Sequence, residues 1–289
     1  MRVADVELTI SGRFLKIAKL RHEWFEYLED PLGFVAALRS RHPIADVFMF
    51  LQESHYPRPS LPFHHELSDA SVLTFNTYED WWKTLHFKVR NKARKVQKTG
   101  VDMRRVQLND DFVRGVKGIY DESPIRQDRR FPHFGKSFDV VKEDLSSFLD
   151  RSLFIGAYHE GELVGFMKLF EGRDILRTIH IIAKISHRDK CVMDGLIAKA
   201  VEICGERHIR HLHYGDWASR GLGAFRAKFG FERHDCPRYF VPLSTRGRLM
   251  LALRLHHSFK QHMPQDWIDR VVMLRRKWYA IRYPANVES

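Results

Sequence analysis

The sequence is poor in cysteine and has no long apolar run. Its 289 residues include three cysteines, Cys191, Cys204 and Cys236, which are odd in number and far apart. With no CxxC pair and no zinc-ligand spacing, we expect packed thiols, no disulfide framework and no bound metal. No stretch approaches the roughly 20 apolar residues of a membrane-spanning helix. The N-terminal residues also lack the apolar segment of a signal peptide, so we predict a cytoplasmic protein.

Acidic residues are also in short supply. The chain has 36 Asp and Glu against 48 Lys and Arg, a formal net charge of +12. Such a basic chain favours an anionic partner, either nucleic acid, anionic lipid or a phosphate-bearing substrate. The alternative is a basic enzyme without any polyanionic partner. Hydrophobic residues make up 44% of the chain, which predicts a folded core in one large domain or two small ones.

A proline-rich segment, HYPRPSLPFHH at residues 55–65, is the best candidate for a domain boundary. Before it, the patterns predict strands over residues 3–10 and 46–52 and a helix over 31–40. After it, they predict a strand over 69–75 and one long helix from Tyr78 to Gly100. Apolar residues of that helix recur every three or four positions and should face the core: Trp82, Leu85, Val89, Ala93 and Val96.

The rest of the chain alternates short helices and strands. Strands are predicted at residues 101–106, 153–158, 163–170, 174–185, 211–214 and 238–243. Helices are predicted at residues 110–120, with Asp110 as the cap, and at 138–149, 192–204 and 222–229. A polar loop carries Arg126, Arg129 and Arg130. This β-α-α-β-β-β-α-β-α-β order resembles the core of the GNAT acyltransferases, which implies an α+β fold with a mixed, mainly antiparallel sheet flanked by helices.

Two segments resemble the Fem-like branch of that superfamily, over roughly residues 75–243. The first, at 88–106, is similar to the pattern R-N-x-x-R-K-x-x-K-x-G-V, matched by Arg90, Asn91, Arg94, Lys95, Lys98, Gly100 and Val101. The second, GLGAFRAKFGFE at 221–232, is similar to G-L-x-x-F-K-x-x-F-G, but Arg226 replaces the family lysine. Arg226 keeps the charge and cannot exchange a proton, whereas Lys228 is titratable and not equivalent in position.

The resemblance implies an N-acyltransferase that passes an acyl or aminoacyl group to an amine. The donor would be a co-substrate, aminoacyl-tRNA or acyl-CoA, with no tightly bound cofactor. The acceptor would be an amine on a small molecule, a peptide or an envelope precursor. Two alternatives stay open: an acetyl-CoA-dependent GNAT N-acetyltransferase with a degenerate phosphate turn, and a non-catalytic GNAT-fold module that binds nucleic acid or anionic membrane.

GNAT enzymes usually hold the pyrophosphate of acyl-CoA on a [QR]-x-x-G-x-[GA] turn before a helix. The matching stretch is HRDKCVMDG, residues 187–195, where Cys191 and Met193 occupy the glycine positions. Bulky side chains there hinder a close phosphate cradle, which argues against ordinary acetyl-CoA use. The candidate donor-binding residues are Arg188, Lys190 and Gly195.

The GNAT resemblance implies that the fifth strand of the core, residues 211–214, splays from the fourth, residues 174–185. Catalytic candidates cluster in HLHYGDWASRG, residues 211–221, at the end of that predicted fifth strand. Acyl transfer to an amine needs a base for the amine and an acid for the leaving group. Asp216 is the candidate base and Tyr214 the candidate acid, with His213 and His180 as alternative bases. Arg226 and Lys228 are further candidates at the reacting centre. Each histidine could equally be a packed or a surface residue.

Two basic segments have a binding interpretation and a plainer one. The cations of the predicted helix, Lys88, Arg90, Lys92, Arg94, Lys95 and Lys98, either follow an RNA backbone or form a solvated face. Two basic amphipathic helices predicted after residue 243 either contact a partner or an anionic membrane, or pack on the sheet. We therefore predict a partial GNAT-like half at 1–65, an acyltransferase core at 66–243 and a basic helical tail at 244–289.

Overall fold

The computed structural model describes residues 2–3, 6–25, 28–40, 45–52, 61–127, 129–217 and 221–254, together with Met273 and Trp278. Its strands are β1 Arg2–Val3, β2 Val6–Ser11, β3 Ile17–Leu20, β4 Val47–Leu51, β5 His64–Thr74, β6 Val101–Val106, β7 Ile125–Arg126, β8 Arg129–Arg130, β9 Ser152–His159, β10 Glu162–Glu171, β11 Ile175–Ala183, β12 His211–Asp216 and β13 Glu232–Pro242. Its helices are α1 Pro31–Arg39, α2 Tyr78–Thr84, α3 Phe87–Lys98, α4 Asp110–Tyr120, α5 Phe138–Ser146, α6 Val192–Glu206, α7 Gly221–Ala227 and α8 Thr245–Ala252.

The chain forms two compact units. The first comprises residues 1–70 and 233–264, and the second comprises residues 71–232 and 265–289. The domain boundaries expected near residues 65 and 243 stay predictions.

The first unit is a small sheet with an aromatic core. Its strand order is β1-β2-β3-β4-β13, with the start of β5 beside β13. The β3–β4 pair is parallel, and the β1–β2, β2–β3 and β4–β13 pairs are antiparallel. Phe34, Phe48, Phe50 and Tyr239 form a row of rings whose successive centroids are 5.3–5.4 Å apart. This row fills the space between α1 and the sheet.

The second unit has the mixed, mainly antiparallel sheet that the sequence predicts. Its strand order is β12-β11-β10-β9-β6, with the end of β5 beside β12. The β6–β9, β9–β10 and β10–β11 pairs are antiparallel, and β11–β12 is parallel. The β9–β10 hairpin turns at Glu160 (φ 51°) and Gly161 (φ 82°), the left-handed pair that suits the twist of a two-residue hairpin.

Helices cover both faces of this second sheet. On one face α6 lies in the centre of a core, and its residues Leu196, Ile197, Ala200, Val201 and Cys204 are fully buried. On the other face α4 and α5 pack through a separate apolar cluster that includes Phe112 and Phe166. The α+β class predicted from the sequence is therefore confirmed.

Strands β11 and β12 diverge along their length. Their paired register runs from Ile175 opposite His211 to Arg177 opposite His213. Beyond that point β11 continues to Ala183 and β12 to Asp216. This is the splay between the fourth and fifth strands that the GNAT resemblance implies, and it opens the edge of β11.

The predicted long helix from Tyr78 to Gly100 is wrong in one respect, because it is two helices. Leu85 (ψ 138°) and His86 (ψ 142°) adopt extended backbone conformations between α2 and α3. The Nδ1 atom of His86 accepts a hydrogen bond from the backbone N–H of Lys88 at 3.3 Å and so caps α3. The break keeps Trp81 in the core, where its indole N–H donates to the Phe229 carbonyl at 2.8 Å. Local periodicity cannot show such a break.

Other predicted elements need smaller corrections. The cap of α4 is Asn109, whose Oδ1 accepts from the Phe112 N–H at 2.9 Å, and Asp110 is its first helical residue. The arginine-rich loop contains the β7–β8 ribbon. The helix predicted over residues 138–149 ends at Ser146, and a 3₁₀ turn follows at Leu149–Arg151. The strand predicted over 174–185 gives way to a 3₁₀ turn at Ile185–Lys190, and β13 begins six residues earlier than expected.

Most of the predicted C-terminal tail lies outside the described residues. Of its first helix the structure describes α8, where Leu249 and Leu253 are exposed. Of the second it describes Met273 and Trp278, which are both helical and about half exposed. Among the described helices, none has the length and apolar character to cross a bilayer.

Candidate functional site

An open cleft of about 730 Å³ lies at the exposed edge of β11 in the second unit. Four consecutive β11 residues, 180–183, line it, so the cleft meets the strand along the edge from which β12 has diverged. The β7–β8 ribbon, the 3₁₀ turn at Ile185–Lys190, the first turn of α6 and Lys92 of α3 form the remaining walls. Every wall thus comes from an element around the splayed pair.

The cleft is strongly basic. Six lysines and arginines line it: Lys92, Arg126, Arg129, Arg130, Lys184 and Arg188. Among the described residues of its lining, Asp194 is the one carboxylate, and Lys228 pairs with this group at 2.6 Å. Arg129 and Arg130 are exposed on β8. The positive field favours an anionic ligand, and these guanidinium groups suit phosphate or carboxylate recognition.

A partly buried ion pair between Glu122 and Arg126 anchors the turn that forms one wall. The Glu122 carboxylate accepts hydrogen bonds from the N–H groups of Ile185 (2.6 Å) and Ser186 (3.0 Å), and from the Ser186 hydroxyl (2.7 Å). Arg126 donates to Glu122, Ile119 and Ala183, each at 2.8 Å, which ties this turn to α4 and to the end of β11. Arg126 therefore acts mainly in holding the wall in place.

The electrostatics of Glu122 follow from these contacts. Burial alone would raise the pKa of Glu122, but the hydrogen bonds from Ser186 and Ile185 and the charge of Arg126 lower the pKa below its ordinary value. The carboxylate stays ionised at neutral pH and holds two backbone N–H groups at the start of the turn.

The first turn of α6 opens into the same cleft. Cys191 precedes the helix with φ 57° and ψ 34°, and no side chain caps the helix start. The left-handed conformation is the one that glycine adopts most easily, so Cys191 keeps a glycine-like backbone although it carries a side chain. The uncapped N–H groups of this turn and the helix dipole favour an anion.

The predicted donor-binding residues separate in the structure. Arg188 lines the cleft, whereas Lys190 and Gly195 are not part of its lining. A Cβ atom on Gly195 would lie 2.3 Å from Met103 Cε and 3.1 Å from Val96 Cγ2. Gly195 therefore permits close packing of α6 against α3 and β6.

Three predicted catalytic residues meet at the end of β12. The Arg226 guanidinium lies 4.4 Å above the Tyr214 ring and donates a hydrogen bond to the backbone carbonyl of Asp216. Arg226 is only 5% exposed, which shows that this arginine faces inward. Burial raises the pKa of Tyr214 to about 12, opposed by the charge of Arg226. The Asp216 side chain is exposed.

The remaining catalytic candidates occupy different places. Lys228 turns inward to Asp194 at the cleft wall and lies 4.3 Å from the Phe225 ring. His213 is buried, with Nδ1 accepting from the Gly215 N–H at 3.4 Å. His180 lines the cleft, where its Nδ1 meets the Tyr120 hydroxyl at 3.3 Å. The structure thus brings His180, Arg188 and Lys92 together, and Tyr214, Asp216 and Arg226 together.

The basic helix α3 borders the cleft through Lys92. Lys88, Lys92, Lys95 and Lys98 are exposed, and none of them forms an ion pair with a described residue. Arg94 lies 5.6 Å over the Trp82 ring. The cations of α3 and those of the cleft therefore adjoin, with Lys92 in both.

Several residues of the site carry no clear sequence signal. Tyr120 is the last residue of α4, Glu122 follows that helix, and His133 follows the β7–β8 ribbon. They do not line the cleft but contact residues that do, because Tyr120 and His133 meet His180 and Glu122 binds the Ile185 N–H. Arg126, Arg129 and Arg130 had a signal, because the sequence shows them as a cluster.

Comparison with known proteins shows the fold. No protein-family model matches the sequence, and no curated protein matches it. Among solved structures, FemX matches with a TM-score of 0.58 and 8% identity over 82% of this chain and 84% of that chain. The C-terminal domain of a predicted lysylphosphatidylglycerol synthetase from Agrobacterium fabrum matches with a TM-score of 0.56 and 14% identity over 87% and 86%. L-PGS from Bacillus licheniformis matches with a TM-score of 0.55 and 12% identity over 86% and 85%. At these identities the likeness concerns the fold, and the chain accordingly has the fold of the GNAT and Fem-like acyltransferases.

Proposed function

We propose that this protein is an N-acyltransferase that takes an aminoacyl group from aminoacyl-tRNA and passes it to an amine. The observation that carries the proposal is the position of Lys92, which belongs both to the basic face of α3 and to the lining of the cleft. If the phosphate backbone of the tRNA follows α3, the end of the tRNA would therefore lie at the open edge of β11. Each phosphate contact would add salt-dependent affinity.

The proposed reaction is an ordinary aminolysis. The amine nitrogen attacks the carbonyl carbon of the aminoacyl ester, the new C–N bond forms, and the C–O bond to the ribose breaks. Asp216 is the proposed base for the proton that the amine loses. Tyr214, which keeps its proton at neutral pH, is the proposed acid for the departing oxygen. The backbone N–H groups exposed on the edge of β11 are candidates to stabilise the carbonyl oxygen.

Acyl-CoA is the second candidate donor, and one observation favours it. The uncapped start of α6 opens into the basic cleft, and Cys191 keeps the left-handed backbone of the family's glycine. A diphosphate could bind the first-turn N–H groups there, with Arg188 beside it. In that reaction the C–S bond of the thioester breaks in place of the C–O bond.

The acceptor and the location are also proposals. We propose an amine on a small molecule, a peptide or an envelope precursor as the acceptor. We also propose that the enzyme is cytoplasmic and has no tightly bound cofactor. One structural neighbour is named a lysylphosphatidylglycerol synthetase, so an anionic phospholipid is a further acceptor to test, with peripheral membrane contact. With that acceptor a headgroup hydroxyl would attack in place of the amine, and the product would be an ester.

Two variants of α3 distinguish an aminoacyl-tRNA donor from an acyl-CoA donor. Lys92 lines the cleft and Lys95 does not, although both are exposed lysines of the same helix. Binding of aminoacyl-tRNA and of acetyl-CoA is titrated at two salt concentrations for the wild type, Lys92→Gln and Lys95→Gln. With a tRNA donor, both variants weaken tRNA binding and lower its salt slope, each by roughly 0.7–0.9, and neither binds acetyl-CoA tightly.

Other outcomes decide between the alternatives. Tight acetyl-CoA binding that weakens in Lys92→Gln and not in Lys95→Gln would support the acyl-CoA donor and contradict the tRNA donor. If neither ligand binds, the non-catalytic module is favoured. Loss of acyl transfer in Asp216→Asn or Tyr214→Phe, with the fold intact, would exclude that module.

A further inference from the structure

His180 sits at a point where β11 departs from regular pairing. Lys168 of β10 pairs with His180, and the next residue, Leu169, pairs with Thr178, so Ile179 is an extra residue in β11. Such bulges re-aim the neighbouring side chains and often occur beside active sites. Here the bulge directly precedes the four residues of β11 that line the cleft.

Three aromatic rings hold the His180 imidazole. The Tyr120 ring stacks on it with centroids 5.5 Å apart and planes 26° apart. The His133 ring lies 5.0 Å away and the Phe166 ring 5.2 Å away. The Tyr120 hydroxyl is 3.3 Å from Nδ1. The second ring nitrogen, Nε2, is not engaged by this hydrogen bond, and His180 lines the cleft.

The hydrogen bond between the Tyr120 hydroxyl and Nδ1 links the tautomer of His180 to Tyr120. Tyr120 is 2% exposed, and burial raises the pKa of its hydroxyl, so the oxygen keeps its proton. Among the described residues, Nδ1 of His180 is the acceptor that this hydroxyl reaches. The Nδ1 atom of His133 is buried and forms no hydrogen bond with a described residue, so it does not take that proton. An accepting Nδ1 places the ring proton on Nε2.

The surroundings also disfavour a charged ring. Burial, together with the smaller effects of His133, Lys136 and Arg126, lowers the pKa of His180 to about 3, while the charge of Asp144 opposes this shift. Burial and the charge of Lys136 likewise lower the pKa of His133. A neutral imidazole is a weak base here, but its N–H remains a good hydrogen-bond donor.

We propose that Tyr120 holds His180 as the neutral Nε2–H tautomer, and that this N–H donates to the carbonyl oxygen of the acyl donor in the cleft. His180 is then a catalytic hydrogen-bond donor, and Tyr120 is a positioning residue. The inference rests on the proposed function, and it gives His180 a role other than the base suggested by the sequence.

The role follows from the charge that develops during acyl transfer. When the amine attacks, the carbonyl π electrons move onto oxygen and give a tetrahedral oxyanion. That intermediate then re-forms the C=O bond and releases the ribose oxygen or the thiolate. A fixed, neutral N–H stabilises the oxyanion without moving a proton, and it stays uncharged over the working pH range.

The tautomer can be measured without any substrate. In protein carrying ¹⁵N-labelled histidine, long-range ¹H–¹⁵N spectra show which ring nitrogen is protonated, and His180→Gln identifies the signal. We expect Nε2–H alone between pH 5 and 8, and a mixture of tautomers in Tyr120→Phe. The matched control is Tyr158→Phe, a partly buried tyrosine under Arg104 at 4.5 Å and outside the cleft, which should leave the signal unchanged.

The inference would be overturned by an Nδ1–H tautomer in the wild type, by an imidazolium at pH 6, or by an unchanged tautomer in Tyr120→Phe. With the donor identified, His180→Leu should lower kcat by about 10²–10³-fold, as for loss of one oxyanion donor. His180→Gln keeps an N–H donor and should recover part of that loss. Equal activity of wild type and His180→Leu would exclude the catalytic role. Absence of any acyl transfer would instead overturn the proposed function, while the spectra decide the tautomer by themselves.

Discussion

At the scale of single residues, arginine takes positions where a planar and permanently charged group has a structural use. Arg226 stacks on Tyr214 and donates a hydrogen bond to the Asp216 carbonyl. The arginine that replaces the family lysine therefore holds two residues of β12 together at the end of that strand. A lysine ammonium could reach the carbonyl, but it could not stack in the same way. Arg126 similarly joins three acceptors on α4, the loop after it and β11.

Glu122 should make a contribution to stability that depends on pH. Glu122→Gln replaces one accepting oxygen by an NH₂ group, which faces the N–H groups of Ile185 and Ser186. We expect a loss of about 2–3 kcal/mol in the free energy of unfolding at pH 7, from urea denaturation. Donor affinity should fall as well, because the cleft wall loses its anchor.

The pH dependence has a definite sign. The pKa of Glu122 is lowered in the folded state, so its stabilising contribution is present above the unfolded pKa of about 4.3. That contribution is lost as the pH falls through the lower folded pKa, so the difference between wild type and Glu122→Gln should shrink below about pH 4. The control Glu162→Gln removes a carboxylate that is 55% exposed and pairs with Lys184, and it should change stability by less than about 1 kcal/mol. Equal effects of the two variants would contradict the role of Glu122.

At the scale of elements, helix surfaces are shaped by what they pack against. The break between α2 and α3 puts Trp81 and Val89 into one core while the cations of α3 face outward. In α6, Gly195 allows the helix to approach Met103 and Val96 closely. Helix α4 contains two glycines, and they differ in what surrounds them.

The two α4 glycines should respond in opposite ways to alanine. A Cβ on Gly115 would lie 2.8 Å from Leu163 Cβ, whereas a Cβ on Gly118 would meet nothing within 4 Å. Gly118→Ala should raise the free energy of unfolding by about 0.5–1 kcal/mol, because alanine restricts the unfolded chain and favours helix. Gly115→Ala should lower it by about 1–3 kcal/mol through overpacking. Thermal or urea denaturation measures both, and a stabilising Gly115→Ala would show that α4 can move away from β10.

At the scale of the whole molecule, the net charge of +12 matters through its distribution. Many surface lysines are paired with carboxylates, among them Lys117 with Asp121, Lys142 with Asp110 and Lys199 with Glu202. The lysines of α3 form no ion pair with a described residue, and their helix borders a cleft whose described lining holds one carboxylate, itself paired. These α3 charges therefore adjoin the site, where they attract and orient an anion.

This distribution can be tested with two triple variants that have the same net charge as each other. Replacing Lys88, Lys95 and Lys98 together by Gln should lower the salt slope of tRNA binding by about 2–3, near 0.7–0.9 for each contact removed. The matched variant replaces Lys117, Lys142 and Lys199 by Gln, which removes three positive charges elsewhere. Its slope should stay close to that of the wild type in titrations from low to moderate salt. Similar slopes for both triple variants would mean that α3 is a solvated face.

The sequence by itself determined the class of fold, the order of the core elements and the two basic segments. The apolar runs of β9 and β10, the turn at Glu160 and Gly161, and the period of α6 are local properties, and each element follows from neighbouring residues. The family resemblance also indicated the splay of β11 and β12. The catalytic candidates Asp216, Tyr214, Arg226, His213, His180 and Lys228 remain predictions.

Only the tertiary structure decided which of these residues share a cleft. It turned Lys228 toward Asp194, placed Gly195 against Met103, and surrounded His180 with Tyr120, His133 and Phe166. These contacts join residues far apart in the chain, for example Tyr120 and His180, which are 60 positions apart. Periodicity shows which face of a helix is buried, but not which side chain lies opposite, because that depends on how separate elements pack together.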